Sequence, residues 1–431
     1  MSTRTFVLLA AAVVVALPLS AQVTLQKLAV PTDSTERDAS FVAVADLAGT
    51  TSSPGGYPGG SAFPSPGNPP TGQNNARYQT PFGTGYDGVV RLMFKNAAGT
   101  ILTGCTGSLL STGMHILTAG HCVNTGGSTP TTGYASVDVG FMNSSGGVTT
   151  INATMMQIMP GYTGSVVDAR DLAMITLPSS APAWATRYGL YSGNPMYQVH
   201  QIVGYGLSGS GLTGGIINTL FNAVPIRRVA KNSWEYTRDA SFIYMSPTLE
   251  PVTSILSADF DGARPGGTYP VRGGTWSATS IDQNNSLCRD FGVSPLTAPS
   301  SFNPAGLSAA QIAALCDTGF GINEGLVGSG DSGGPAMIMV AGELRIAGIA
   351  SFGNVRCTPS QATPPSTSGG CPTGFISSGS YFGARSGHVW TGGSEQVHWI
   401  DAVAAVPEPS TYALMATGLL FLGGFARRRR K

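Results

Sequence analysis

From about Tyr86 onward the chain is written in short β-type runs set between Gly, Ser, Asn and Thr, and this texture restricts what it can fold into more than any other feature. Val89-Val90-Arg91-Leu92-Met93-Phe94, Ile116-Leu117 and Ala173-Met174-Ile175 are typical runs. β-branched and large apolar residues suit a pleated, half-buried surface, and no long 3.6-residue periodicity competes. Many short strands with glycine-rich turns predict an all-β sandwich or barrel. Residues 22–80 read differently. Thr51-Ser52-Ser53-Pro54-Gly55-Gly56 and Pro64-Ser65-Pro66-Gly67-Asn68-Pro69-Pro70 carry too little apolar surface to offset their ordering entropy. That stretch is expected to be a flexible linker or propeptide.

Both ends concern transport. Met1 to Ala21 has Arg4, an apolar run from Phe6 to Leu19 and then Ser20-Ala21, which is the form of a secretory signal cleaved after Ala21. At the other end Val406-Pro407-Glu408-Pro409-Ser410 precedes an apolar stretch from Tyr412 to Ala426, followed by Arg427 to Arg430 and Lys431. As a helix that stretch would be about 22 Å long, short of a hydrocarbon core of about 30 Å. The basic block would stay cytoplasmic. Residues 406–431 resemble the PEP-CTERM sorting signal of Gram-negative bacteria. The resemblance implies a transient transmembrane anchor cut by an exosortase-type enzyme, rather than a permanent tail anchor. It also implies a route through signal peptidase and the periplasm to the cell surface or extracellular matrix. Without Arg4 and the five terminal basic residues, 17 Lys+Arg face 22 Asp+Glu, so the exported body is near −5 rather than +1. No nucleic-acid partner is expected.

Three further segments carry chemistry. Gly330-Asp331-Ser332-Gly333-Gly334-Pro335 offers a hydroxyl at Ser332 within a flexible, tightly turning backbone. A serine hydroxyl becomes a useful nucleophile once a base takes its proton and donors hold the resulting oxyanion. Leu117-Thr118-Ala119-Gly120-His121-Cys122 supplies an imidazole that titrates near neutrality. Asp168-Ala169-Arg170-Asp171-Leu172-Ala173-Met174-Ile175 sets an acid before an apolar run. Asp171 is the preferred acid, with Asp168 and Asp138 as competitors. His115, His200, His388 and His398 are read as structural.

These segments resemble the histidine, aspartate and nucleophile motifs of the chymotrypsin-like (trypsin-like) serine peptidases, and they occur in the order His, Asp, Ser that distinguishes that family. The family usually has alanine where Gly120 stands. The resemblance implies two six-stranded antiparallel Greek-key β-barrels with a short C-terminal helix. The first barrel would span 81–200 with His121 and Asp171, and the second 201–402 with Ser332 and long loop insertions between Arg227 and Phe320. It implies a serine endopeptidase acting on protein or peptide substrates through an acyl-enzyme. The N–H groups of Gly330 and Ser332 would form the oxyanion hole. It also implies a Cys105–Cys122 disulfide. Six cysteines in an exported chain argue for disulfides generally, and sequence proximity suggests Cys288–Cys316 and Cys357–Cys371. No cofactor and no catalytic metal are expected, with Asp259-Phe260-Asp261 the one candidate calcium loop.

Departures from the family pattern concern specificity and activation. Leu326 stands where an acid selects Arg or Lys, and Gly328 replaces a pocket-bracing cysteine. Ser351-Phe352-Gly353 is similar to the family's substrate-pairing strand. An uncharged primary residue is therefore expected. No Ile-Val-Gly-Gly start is present, so either Asp331 pairs internally or maturation differs. A catalytically silent surface adhesion or matrix-binding protein is the alternative to an enzyme, since the Gly/Pro/Ser-rich arm and the sorting tag suit both.

Overall fold

The structure is a computed structural model that describes residues 26–29, 35–38, 41–42, 78–210, 214–217, 220–238, 242–245, 255–259, 268–271, 274–277, 320, 324–355 and 385–405. The signal segment, the sorting segment and Cys288, Cys316, Cys357, Cys371 and Asp261 lie outside the described residues.

The chain is all-β, with two main antiparallel sheets and a short C-terminal helix. The first sheet has eight strands. Its order is Val148–Ala153, Ser136–Met142, Val89–Lys95, Ile101–Leu109, His115–Thr118, Ala173–Thr176 and Met155–Ile158, with Phe41–Val42 set against Ile101–Leu109. The apolar runs read in the sequence are its centre: Leu92, Phe94, Ile116, Leu117, Val139, Phe141, Met174 and Ile175 have no exposed surface. Ser136–Met142 is buried along most of its length, whereas the edge strand Met155–Ile158 alternates exposed and half-buried residues.

The second sheet has eleven strands, so both sheets are larger than six. Along its path run Gln26–Ala29, Phe242–Met245, Tyr236–Arg238, Ile255–Asp259, Arg385–Trp390, Glu343–Val355, Pro335–Val340, Val199–Gly204 and Arg228–Ser233. Thr35–Asp38 and Gly189–Leu190 pair with Glu343–Val355 off that path. The stretch between Arg227 and Phe320 thus contributes strands as well as loops. Three short strands also fall inside residues 22–80.

One apolar core joins the sheets, running from Leu92, Phe94 and Met174 through to Met337, Ile349, Phe352 and Ile400. Burying that surface is the main favourable term in holding the halves together. Polar links cross the same junction: the Tyr205 hydroxyl donates to the Val89 carbonyl at 3.1 Å, and the Thr106 N–H to the Ser332 carbonyl at 2.8 Å. The helix Ser394–Ala404 closes the far side. Gln396 Nε2 donates to the Ala169 carbonyl at 2.9 Å, and Glu395 pairs with Arg170 at 2.8 Å. The C-terminal helix thereby braces the loop that carries Asp171.

Candidate active site

Strand register brings His121 and Asp171 together. Ala173 lies opposite Thr118 in the antiparallel pair His115–Thr118 with Ala173–Thr176. The chain just after Thr118 and the chain just before Ala173 must therefore emerge side by side. The short helix Gly120–Val123 begins there, and its His121 N–H donates to Asp171 Oδ1 at 2.7 Å. The ring follows: His121 Nδ1 is 2.7 Å from Asp171 Oδ2, and Nε2 is 2.7 Å from Ser332 Oγ. A carboxylate oxygen only accepts, so the proton sits on Nδ1 and Nε2 is left to accept from the serine. Asp171 and Ser332 have no exposed surface.

Asp168 is occupied elsewhere. Its carboxylate accepts from the N–H and hydroxyl of Thr163 and from the Arg170 N–H, closing the loop ahead of Asp171. Asp138 pairs with Lys95 on the strand Ser136–Met142. Geometry selects Asp171 from the three.

Ser332 extends the hairpin of Pro335–Val340 and Glu343–Val355. The Gly333 N–H donates to the Ala350 carbonyl at 2.8 Å, and the Ala350 N–H to the Gly334 carbonyl at 2.9 Å. Gly330 and Gly333 take φ values of +95° and +76°, which L side chains rarely adopt. A Cβ on Gly333 would also come within 1.9 Å of Thr118 Oγ1, so this loop packs directly on the histidine strand. The N–H groups of Gly330 and Ser332 have no partner among the described residues. Both remain available as donors to an oxyanion.

Asp331 pairs internally. Its Oδ1 accepts from the Gly206 N–H at 2.7 Å and its Oδ2 from the Gly328 N–H at 2.8 Å. The turn Gly204-Tyr205-Gly206 wraps this carboxylate so closely that a Cβ at 206 would lie 2.6 Å from Asp331 Cγ. Burial pushes the Asp331 carboxyl up to about 6, while the two N–H groups and the Arg228 charge pull the other way.

Ser351 does more than the sequence suggests. The pairing of Glu343–Val355 with Arg385–Trp390 skips it, with Ala350 opposite His388 and Phe352 opposite Gly387. Such a bulge re-aims one side chain. Here it turns the Ser351 hydroxyl onto Asp171 Oδ2 and toward the Val166 carbonyl, with one proton to give to either. Thr106 was also missed. Its hydroxyl donates to the Gly330 carbonyl at 2.9 Å and accepts from the Tyr205 N–H at 3.2 Å, so it fixes the loop that leads into Ser332. The only sequence signal for it was its place beside Cys105. Leu326 is buried at 1 % exposure, and Phe352 is fully buried beneath the Arg238 guanidinium, 5.5 Å from its ring centroid.

The Cys105–Cys122 disulfide is formed. His115 bonds the Thr112 hydroxyl through Nδ1. His200 stacks on Trp234, and His388 accepts from Trp234 Nε1 at 3.2 Å. Burial lowers His388 to about 3, so it is neutral. His398 is exposed on the terminal helix. Asp259 lies in the strand Ile255–Asp259, where its carbonyl accepts from Asn232. Among the described residues no helix is long and apolar enough to cross a membrane, and no His/Cys/Asp/Glu group could hold a metal ion.

Residues 87–231 match the family model described as Trypsin, a span that contains His121 and Asp171 and ends before Ser332. Residues 405–431 match the PEP-CTERM protein-sorting motif, which indicates export. No curated protein matches by sequence. Solved structures similar to this chain include protease Anisep from Arthrobacter nicotinovorans, at 11 % identity and TM-score 0.40, covering 77 % of this chain and 99 % of that one. A Glu endopeptidase in complex with MPD is 15 % identical with TM-score 0.37, covering 77 % and 94 %. A thermostable serine protease, AL20, from an extremophilic microorganism is 10 % identical with TM-score 0.38, covering 75 % and 99 %.

Proposed function

We propose that the chain is an exported serine endopeptidase. The observation that carries this reading is the unbroken relay Asp171–His121–Ser332, with both ring nitrogens 2.7 Å from their partners. Ser332 Oγ attacks the scissile carbonyl while His121 Nε2 takes its proton and returns it to the leaving amine. Asp171 keeps the proton on Nδ1 and stabilises the imidazolium as it forms. The N–H groups of Gly330 and Ser332 meet the tetrahedral oxyanion, a contribution of about 3 to 4 kcal/mol per donor in comparable sites. Water then resolves the acyl-enzyme through the same histidine. A relay this complete favours an enzyme over an adhesion module, which needs no base aimed at a serine.

Leu326, apolar and buried, supports a preference for an uncharged residue before the cut. The sorting motif supports delivery through the periplasm to the surface or matrix of a Gram-negative cell, with an exosortase-type enzyme removing the tag. One experiment tests site and specificity together. The exported body should react with an active-site phosphonate and cut a peptide library after small or apolar residues, and Ser332→Ala should abolish both while the fold persists. Labelling of the variant would place the nucleophile elsewhere, and a profile dominated by Arg or Lys would overturn the specificity assignment.

A further inference from the structure

Buried main-chain N–H and C=O groups are nearly always paired, and around Ser332 the partners can be followed one by one. The Ser329 carbonyl accepts from the Leu207 N–H at 2.7 Å, and the Asp331 carbonyl from the Gly334 N–H at 2.7 Å. The Asp331 N–H donates to the Gly328 carbonyl at 2.9 Å, and the Gly333 N–H to the Ala350 carbonyl at 2.8 Å. Two carbonyls remain, those of Gly330 and Ser332, and one residue takes both. Thr106 gives its hydroxyl to the first at 2.9 Å and its N–H to the second at 2.8 Å. Between Gly330 and Gly333, the N–H groups of Gly330 and Ser332 alone then lack a partner among the described residues.

A peptide unit is planar, so the C=O of one residue and the N–H of the next turn together. The plane that ends in the Gly330 N–H is held by Leu207, and the plane that ends in the Ser332 N–H by Gly334. Between them lies the Gly330–Asp331 plane, held by the Thr106 hydroxyl at one end and the Gly328 carbonyl at the other. Gly330 has a φ of +95° and no side chain, so its own sterics restrict it little. What fixes the direction of its N–H is the grip on the planes to either side.

Thr106 is itself firmly held. It lies fully buried in the strand Ile101–Leu109, next to Cys105, whose disulfide reaches Cys122 beside His121. Its carbonyl accepts from the Thr118 hydroxyl at 2.8 Å, and Thr118 ends the strand that leads to His121. The Tyr205 N–H donates to its Oγ1 at 3.2 Å, which leaves the single hydroxyl proton for Gly330. A valine would fill the same space and do neither. The hydroxyl thus lets the sheet that carries His121 set a donor in the other sheet.

We infer that Thr106 is a positioning residue of the reaction, whose hydroxyl acts through the Gly330 carbonyl to keep the Gly330 N–H turned toward the oxyanion. This inference rests on the peptidase reading and adds to it a residue outside the relay. Donors fixed in advance need no reorientation as negative charge develops, so their direction matters most in the transition state. An interaction realised only there alters kcat and leaves KM nearly unchanged. Without the hydroxyl, the Gly330 carbonyl becomes a buried acceptor that has lost its donor, and its plane is held at one end only.

The test compares wild type, Thr106→Val and Thr106→Ser, each as the full chain, on a peptide that the wild type cuts. Thr106→Val should lower kcat about 10- to 100-fold, short of the roughly 10³-fold that loss of a whole donor can cost, with KM within about twofold. A peptide aldehyde, whose adduct oxygen takes the oxyanion's place, should bind more weakly by the same factor. Thr106→Ser keeps the hydroxyl and should stay within about threefold of wild type on both measures. The His121 ionisation read from the pH profile of kcat/KM should stay where it is in both variants. A folded Thr106→Val with unchanged kcat, a rise in KM alone, or a displaced His121 ionisation would each overturn the inference and leave the peptidase reading standing. A Thr106→Ser as impaired as Thr106→Val would do the same, because the methyl group would then carry the effect. Should Thr106→Val not fold, Thr106→Ala takes its place; if neither folds, the hydroxyl serves stability and the inference fails. A wild type that neither reacts with the phosphonate nor cuts peptides would remove the peptidase reading, and the inference with it.

Discussion

The two sheets hold their parts of the site by different physical means. In the first sheet, His121 and Asp171 sit at the adjoining ends of two paired strands, and a disulfide ties the short helix of His121 to the strand Ile101–Leu109. In the second sheet, Ser332 sits in a glycine loop fixed by a buried carboxylate, with Asp331 drawing in the N–H groups of Gly206 and Gly328. The first arrangement is covalent and local in the chain. The second depends on a carboxyl group kept away from water and on backbone segments 125 residues apart. His121 is therefore held by bonds that pH does not alter, whereas the loop of Ser332 is held by a group that titrates.

The largest test of this contrast removes a charge from the covalently held half. Asp171→Asn should leave the backbone in place, because strand register and disulfide fix it, yet lower kcat by about 10⁴-fold by favouring the wrong tautomer. Steady-state kinetics beside a denaturation curve would check this, and a variant lost mainly through unfolding would contradict it. Next in size, replacing both Cys105 and Cys122 by alanine opens a link with a sequence separation of 17. Loops near that length contribute about 3 kcal/mol. Urea midpoints should fall accordingly, and an unchanged midpoint would mean that strand pairing alone holds the helix of His121.

The smallest effect concerns pH. The Asp331 carboxyl is raised from 3.8 to about 6 in the folded chain, so between those values the folded state binds the proton more tightly than the unfolded state. Its contribution to stability is therefore most favourable below about pH 4 and declines as pH rises through 6. Asp331→Asn removes this titration. The stability of the wild type relative to the variant should drop by up to about 3 kcal/mol between pH 4 and pH 7. Denaturant titrations across that range would show it, and a difference independent of pH would dissociate the loop from the carboxyl's charge. His388 titrates with the opposite slope, its value near 3 favouring the folded state increasingly as pH rises toward 6.5. The comparison must therefore be made between wild type and variant, not along one curve.

Much of this site was legible in the residues because its parts lie in short, self-contained motifs. Ser332, His121 and Asp171 could be named, and Asp171 preferred to Asp168, because each sits in a short motif that resembles one of the chymotrypsin-like peptidases. The bulge at Ser351 was not legible. Skipping a residue in a ladder depends on how a 13-residue strand meets two neighbours, and its own letters give no sign of that. Thr106 was hidden for a similar reason, since a threonine in a β-run is ordinarily just a strand former. The strands at Thr35–Asp38 and Phe41–Val42 escaped notice because they are only four and two residues long and their hold is main-chain pairing to edges supplied from elsewhere.

The sequence by itself determined the class of fold, the sorting motif at the C-terminal end and the chemical identity of the relay, because periodicity and short motifs are properties of neighbouring residues. Tertiary structure alone decided which acid faces His121 and which carboxylate locks the serine loop. Those outcomes depend on the register between strands far apart in sequence, and register is fixed only when the sheets pair and pack on one core.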